Sequence, residues 1–174
     1  VLFHLAVLVA FKLGAFLVLG MLEMEGGASR LSSLAGLGRR DPLLATSMFI
    51  FMMALAGVPP LAGFMSKFLI IAGLVKVGVG EMWAAGGPVS FADIHWVWWL
   101  ALAMFVNSAL SVFYYLRIGV IMFLEPPEEG RRKPLPYGIS IRMTIWVCVV
   151  ATILLGVSGD FLIQLCYSAA ETLF

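Results

Sequence analysis

The apolar residues of this chain fall in long blocks separated by short polar connectors. The first block, VLFHLAVLVAFKLGAFLVLGML over residues 1–22, is interrupted by His4 and Lys12. The connector EMEGGASRLSSLAGLGRRDP follows, and its Gly, Ser and Arg content predicts a water-exposed loop with one amphipathic turn around LSSLAGL. A second apolar run extends from Leu43 to about Gly78. As one helix it would be roughly 50 Å long, against a hydrocarbon core of about 30 Å. The run therefore predicts two elements, 43–58 and 60–78, divided at GVPP. Pro59 lacks an N–H and clashes with the preceding turn, so it ends the first, while Pro60 suits the first turn of the second. A Gly-Pro stretch, GVGEMWAAGGPVSFADIH, leads to a block over 96–124 that opens with WVWW, the pattern of an interfacial aromatic belt. After the hydrophilic EPPEEGRRKPLPYG, the last block runs over 139–167.

Each long block is near or above the roughly 17 to 25 residues that cross a bilayer as a helix, and none has the alternation of an outer-membrane strand. The pattern predicts an all-α integral membrane fold of five transmembrane helices forming one domain over 1–174. Composition agrees: 62% of residues are hydrophobic and 12% charged, where soluble domains have about 45–50% and about 25%. The net charge of +1 gives no sign of a nucleic-acid partner, and the lipid bilayer is the expected surrounding of a multi-pass protein. Val1 opens the chain already inside an apolar block, without the basic region of a signal peptide, so a C-terminal portion of a longer protein is expected. Cys148 and Cys166 share the last block, about 27 Å apart along a helix, and read as small apolar residues and not a disulfide.

Basic residues also bear on orientation. Arg30, Arg39 and Arg40 lie in one connector and Arg131, Arg132 and Lys133 in another, and both look cytoplasmic by the positive-inside rule. Five spans put them on opposite faces. Residues 79–95 carry acids and no Lys or Arg, which places residues 125–138 inside and the C-terminus outside.

Charges within the spans hold the candidate chemistry. Lys67, near the middle of the third span, is too deep to reach water easily, and a central lysine costs from about 2.5 kcal/mol upward. Low dielectric disfavours the charged form of an amine, which allows proton exchange when a neighbouring charge changes. The GVPP interruption supports such a use, because irregular backbone at membrane depth is tolerated where it is buried or lines water. A lysine in a buried ion pair, or one capping carbonyls freed at the break, is the alternative. Lys12, in AFKLGAF, poses the same question, and His4 lies about two turns before it and about 80° round the helix. Imidazole titrates near neutrality and suits a relay, whereas a helix-end position near the interface is the plainer reading of His4. Lys76 snorkels from a helix end; Tyr114, Tyr115 and Arg117 read as interfacial anchors, and Arg142 and Asp160 lie where charge is cheap. Asn107, Ser108 and Ser111 can bond to neighbouring helices. No cysteine cluster, haem-ligand pattern, nucleotide-binding glycine motif or Ser-His-Asp set is present, so no cofactor or metal is expected in this chain.

LAGVPPLAGFMSKF, with FKLGAFLVLG, LSSLAGLGRRDPLLA and SALSVFYYLRIGVIMF in the same order, resembles the antiporter-like membrane subunits of respiratory complex I and its relatives. The likeness is to the subunit N type, in NADH-quinone oxidoreductase and in archaeal F420H2 dehydrogenase, and it covers nearly the whole chain. It implies a fourteen-helix fold with inverted five-helix repeats, of which this chain supplies the last five. It implies proton-transfer roles for Lys67, on the broken helix, and for Lys12. His4 matches the first of two histidines that precede that lysine in several relatives, while Leu8 occupies the second position. The implied function is a proton-translocating subunit of a NADH- or F420H2-type quinone or methanophenazine oxidoreductase in the cell membrane. It would perform no redox chemistry itself. Quinone or methanophenazine, flavin and iron-sulfur clusters would belong to partner subunits, and the other membrane subunits of the assembly would be its neighbours. The first half-channel of the family lies outside this chain. Two other functions remain open: a subunit of a multi-component Na⁺/H⁺ antiporter without redox coupling, and a structural membrane subunit with paired, inert lysines.

Overall fold

A computed structural model describes residues 2–24, 31–84, 96–127 and 138–173, with the side chains of 81–84 and 170–173 left aside. Among these residues the secondary structure is helical, with no strand. The elements are α1 (Leu2–Met24), a 3-10 turn (Leu31–Leu34), α2 (Leu37–Arg40), α3 (Pro42–Ala56), α4 (Ala62–Ala84), α5 (Trp96–Leu124), α6 (Ile139–Val157) and α7 (Asp160–Leu173). Four segments are long and apolar enough to cross a bilayer: Leu2–Met24, Ala62–Gly80, Trp96–Leu124 and Ile139–Val157. This is a multi-pass, all-helical membrane protein.

The second apolar run is arranged differently from the expected pair of spans. At 15 residues, α3 is only about 22 Å long, short of a core of about 30 Å. It is followed along α5 by α4. Phe49 of α3 lies against Gly119 and meets Phe123 edge to face, with ring centroids 5.9 Å apart. Farther along, Lys67 of α4 reaches Ser108, and Gly78 faces Trp98. From Phe49 to Gly78 the two helices thus follow one another down one length of α5, antiparallel to it. The run expected as 43–58 and 60–78 is thus two helices, Pro42–Ala56 and Ala62–Ala84, divided at the GVPP turn.

Gly57, not Pro59, ends α3. With φ at 86° it takes a left-handed conformation that favours glycine, and its N–H donates to Met53 O and Ala54 O. The N–H of Val58 also donates to Met53 O, at 3.0 Å. Pro59 and Pro60 both lie in the turn, joined by a cis peptide, and α4 opens only at Ala62. Gly63 follows, where a Cβ would collide with the backbone of Ala54, so this glycine permits the close approach of the two half-helices. Gly156 of α6 packs against Pro60 and Leu61 from the other side.

The block expected over 139–167 also divides. The N–H and hydroxyl of Ser158 both donate to Leu154 O, at 2.8 and 3.0 Å, and helix resumes at Asp160, whose carboxylate favours a helix N-terminus. Cys148 and Cys166 lie on separate helices, both as free thiols.

The connector after α1 is less exposed than its composition predicts. Leu34, Leu37, Ser33, Arg40 and Asp41 are buried, and the N–H of Gly36 donates to Ile121 O at 3.4 Å. Gly38 faces Phe123, and Gly36 lies against Pro127. This places residues 31–41 and the end of α5 at the same end of the bundle, not on opposite faces. Arg30, Arg131, Arg132 and Lys133, and most of the loop at 79–95, lie outside the described residues.

Candidate functional site

Helix α3 carries opposite charges at its two ends. At its start Asp41 accepts from the Leu44 N–H at 3.1 Å through Oδ1, with Pro42 in the first turn. Both choices follow helix-start chemistry, a short carboxylate on exposed N–H groups and a residue that needs no donor. At the other end the last carbonyls of any helix lack intrahelical partners. Gly57 and Val58 satisfy Met53 and Ala54. Leu55 and Ala56 receive Lys67 instead: Nζ donates to Leu55 O at 2.9 Å and to Ala56 O at 3.1 Å. A third bond runs to Ser108 Oγ at 3.2 Å. A cation here also meets the negative end of the helix dipole.

Among the described residues no carboxylate pairs with Lys67. Its surroundings are therefore those of a capping lysine, one of the arrangements left open by the sequence, and not those of an ion pair. The same amine lines a cleft of about 400 Å³ with Ala56, Gly57 and Ser108, walled by aromatic and aliphatic side chains such as Phe64 and Phe105. An ammonium held by carbonyls at the edge of a cleft can lose a proton into it without breaking an opposing charge pair.

His4 lies one position from this cradle. Its Nδ1 is 3.0 Å from Ser66 Oγ, and Ser66, 1% exposed, donates to Gly63 O at 3.1 Å. A hydroxyl has a single hydrogen. While it lies on Gly63, Nδ1 must be the donor to Ser66, which leaves the lone pair of a neutral imidazole on Nε2. His4 is half-buried and packs into the bundle through a neighbouring helix, not as a helix-end residue in isolation.

Lys12 is not brought to these groups. It is exposed, on the face of α1 opposite the buried positions Phe3, Val7, Phe11, Gly14 and Val18. The structure therefore places Lys67 beside the Ser66 partner of His4 and gives Lys12 no hydrogen bond to either group. Lys76, Tyr114, Arg117, Arg142 and Asp160 are all exposed, and Tyr115 is half-buried. Of the polar trio on α5, Ser108 reaches another helix, whereas Ser111 donates to Asn107 O on its own helix at 2.7 Å. Among the described residues, no group of His, Cys, Asp or Glu could hold a metal ion. Sequence reasoning passed over Ser66, although a small polar residue beside the lysine in an apolar helix is a signal. It named Ser108 without its partner.

Residues 1–92 match the family model described as NADH:quinone oxidoreductase/Mrp antiporter, transmembrane. The chain is 40% identical over 156 residues to NADH-quinone oxidoreductase subunit N of Chloroflexus aggregans, covering 89% of this chain and 28% of that protein. It is 32% identical over 174 residues to the subunit N of Heliobacterium modesticaldum, covering 100% of this chain and 33% of that protein. F420H2 dehydrogenase subunit N of Methanosarcina mazei is 35% identical over 146 residues, covering 82% and 25%. Respiratory complex I from Thermus thermophilus with bound aureothin contains a chain of similar structure, at a TM-score of 0.54 and 32% identity, covering 75% of this chain and 26% of that one. The chain spans a third or less of the length of these relatives.

Proposed function

Because this chain belongs to the NADH:quinone oxidoreductase/Mrp antiporter transmembrane family, we propose that it supplies part of a lysine-based proton half-channel in a proton-translocating membrane subunit. The complex in question is a NADH- or F420H2-type quinone or methanophenazine oxidoreductase, the class named for its relatives. Those names favour redox coupling over a Na⁺/H⁺ antiporter that lacks it. Electron transfer would take place on flavin, iron-sulfur clusters and quinone or methanophenazine in partner subunits. This chain would perform no redox step, and with its neighbours it would sit in the cell membrane as the last helices of a fourteen-helix subunit.

The observation that carries this reading is the position of the Lys67 amine, on carbonyls freed where α3 ends at the GVPP turn and at the edge of a cleft. A change of charge in a neighbouring subunit would alter the balance between ammonium and amine, and the proton would leave or enter along that cleft. His4, through Ser66, and Lys12, on the far face of α1, are the other proposed transfer sites. Their separation from Lys67 requires water or further side chains between them.

The test is the ratio of protons pumped to electrons transferred by the whole complex in proteoliposomes. Lys67→Ala and Lys67→Gln should both lower it severalfold while electron transfer continues. Wild-type ratios in both variants would overturn the proposal.

A further inference from the structure

Resting on the reading of Lys67 as a proton carrier, we propose that Ser108 is the positioning residue that allows this amine to be held in both protonation states, by reversing the direction of one hydrogen bond. An ammonium has three donors and no acceptor, whereas a neutral amine has two donors and one lone pair. Two of the three groups around Nζ are the carbonyls of Leu55 and Ala56, which can only accept. A cradle made of carbonyls alone would leave the lone pair of the neutral amine facing an acceptor. Ser108 is the third group, and a hydroxyl both donates and accepts.

In the ammonium state the three N–H groups go to Leu55 O, Ala56 O and Ser108 Oγ. The Ser108 hydrogen then points to Ala56 O, 3.5 Å away, at the long limit of such a bond. When Nζ gives one proton to a water molecule entering the cleft, which carries it away as hydronium, its two remaining N–H groups stay on the carbonyls. The Ser108 hydroxyl rotates from Ala56 O to the new lone pair on Nζ. One proton has left Nζ, Ser108 has neither gained nor lost one, and the heavy atoms keep their places. Both states are then fully hydrogen-bonded by the same three neighbours, so the cycle leaves no buried polar group unpaired.

The experiment compares Ser108→Ala, Ser108→Thr and Lys67→Ala in the full complex, measuring pumping rate against pH in proteoliposomes together with electron transfer. Ser108→Ala should slow pumping about three- to tenfold, the rate equivalent of one lost hydrogen bond. It should also displace the pH–rate profile toward lower pH, since the ammonium loses a charge-assisted bond to Ser108 and the neutral amine only a weaker neutral one. Ser108→Thr keeps a hydroxyl and should restore both. If Ser108→Ala does not assemble, Ser108→Cys, with its weaker donor, takes its place with the same expectation. A wild-type rate and profile in Ser108→Ala, or equal impairment of the Ala and Thr variants with an unmoved profile, would overturn the inference. Lost pumping in Lys67→Ala beside an unaffected Ser108→Ala would sink the role of Ser108 alone. Full pumping in Lys67→Ala would remove the proton-carrier reading and this inference with it.

Discussion

Lys67 Nζ lies 2.9 Å from the carbonyl oxygen of Leu55, twelve positions earlier in the chain. One bond thus joins the two helices on either side of the GVPP turn and seats a cation on the C-terminal end of α3. The break makes the charge tolerable and the charge satisfies the break. An uninterrupted helix would have used the Leu55 and Ala56 carbonyls internally and left the lysine with Ser108 alone.

The close approach of α3 and α4 depends on Gly63 more than on the turn itself. Gly57→Ala puts a side chain into left-handed backbone, at a cost of about 1–2 kcal/mol. Gly63→Ala drives a methyl into the Ala54 backbone, where nothing flexible can yield, and should cost about 1–3 kcal/mol or more. Thermal unfolding of the purified complex should therefore rank Gly63→Ala below Gly57→Ala, and the reverse order would mean that the half-helices are free to separate.

At the opposite end of α3, the Asp41 cap makes a separate prediction. Asp41→Ala removes the acceptor of the Leu44 N–H and should destabilise by about 1 kcal/mol, whereas Asp41→Asn, which still caps, should cost only a few tenths. Thermal melts of the two variants would reveal this difference. Equal losses would assign the role of Asp41 to its charge.

Lys12 separates stability from transport. It is exposed on α1, so Lys12→Met should change the folding stability of this segment by less than about 0.5 kcal/mol. Pumping should nonetheless fall, because the proposed path uses the Lys12 amine. Unchanged pumping in this variant would take Lys12 out of the path without touching Lys67.

Much of this organisation can be read along the chain, and the remainder has physical reasons for being hidden. The bounds of α5, residues 96–124, follow directly from the apolar block and its tryptophans, and the division at GVPP is written in its glycine and prolines. Which residue stops α3 is harder to see. Gly57 and Pro59 both break helices, and the pair of N–H bonds to Met53 decides in favour of Gly57. That α3 and α4 follow one another along α5 depends on packing, and local sequence does not encode it. The division at Ser158 and Gly159 is announced by the turn-forming residues of GVSGD, which the surrounding apolar block obscures. Lys67 stands out as a charge in an apolar run. Its carbonyl partners do not, because every residue has a carbonyl and only the fold determines which are unpaired.

The most direct measurement is the protonation state of the Lys67 amine in the assembled complex, observed with isotope-labelled lysine by magnetic resonance or infrared difference spectroscopy, at rest and during turnover. Lys67→Gln serves to assign the signal. We predict that the signal alternates between ammonium and neutral amine as the complex turns over. An amine that stays ammonium in every state of the working complex would contradict the account.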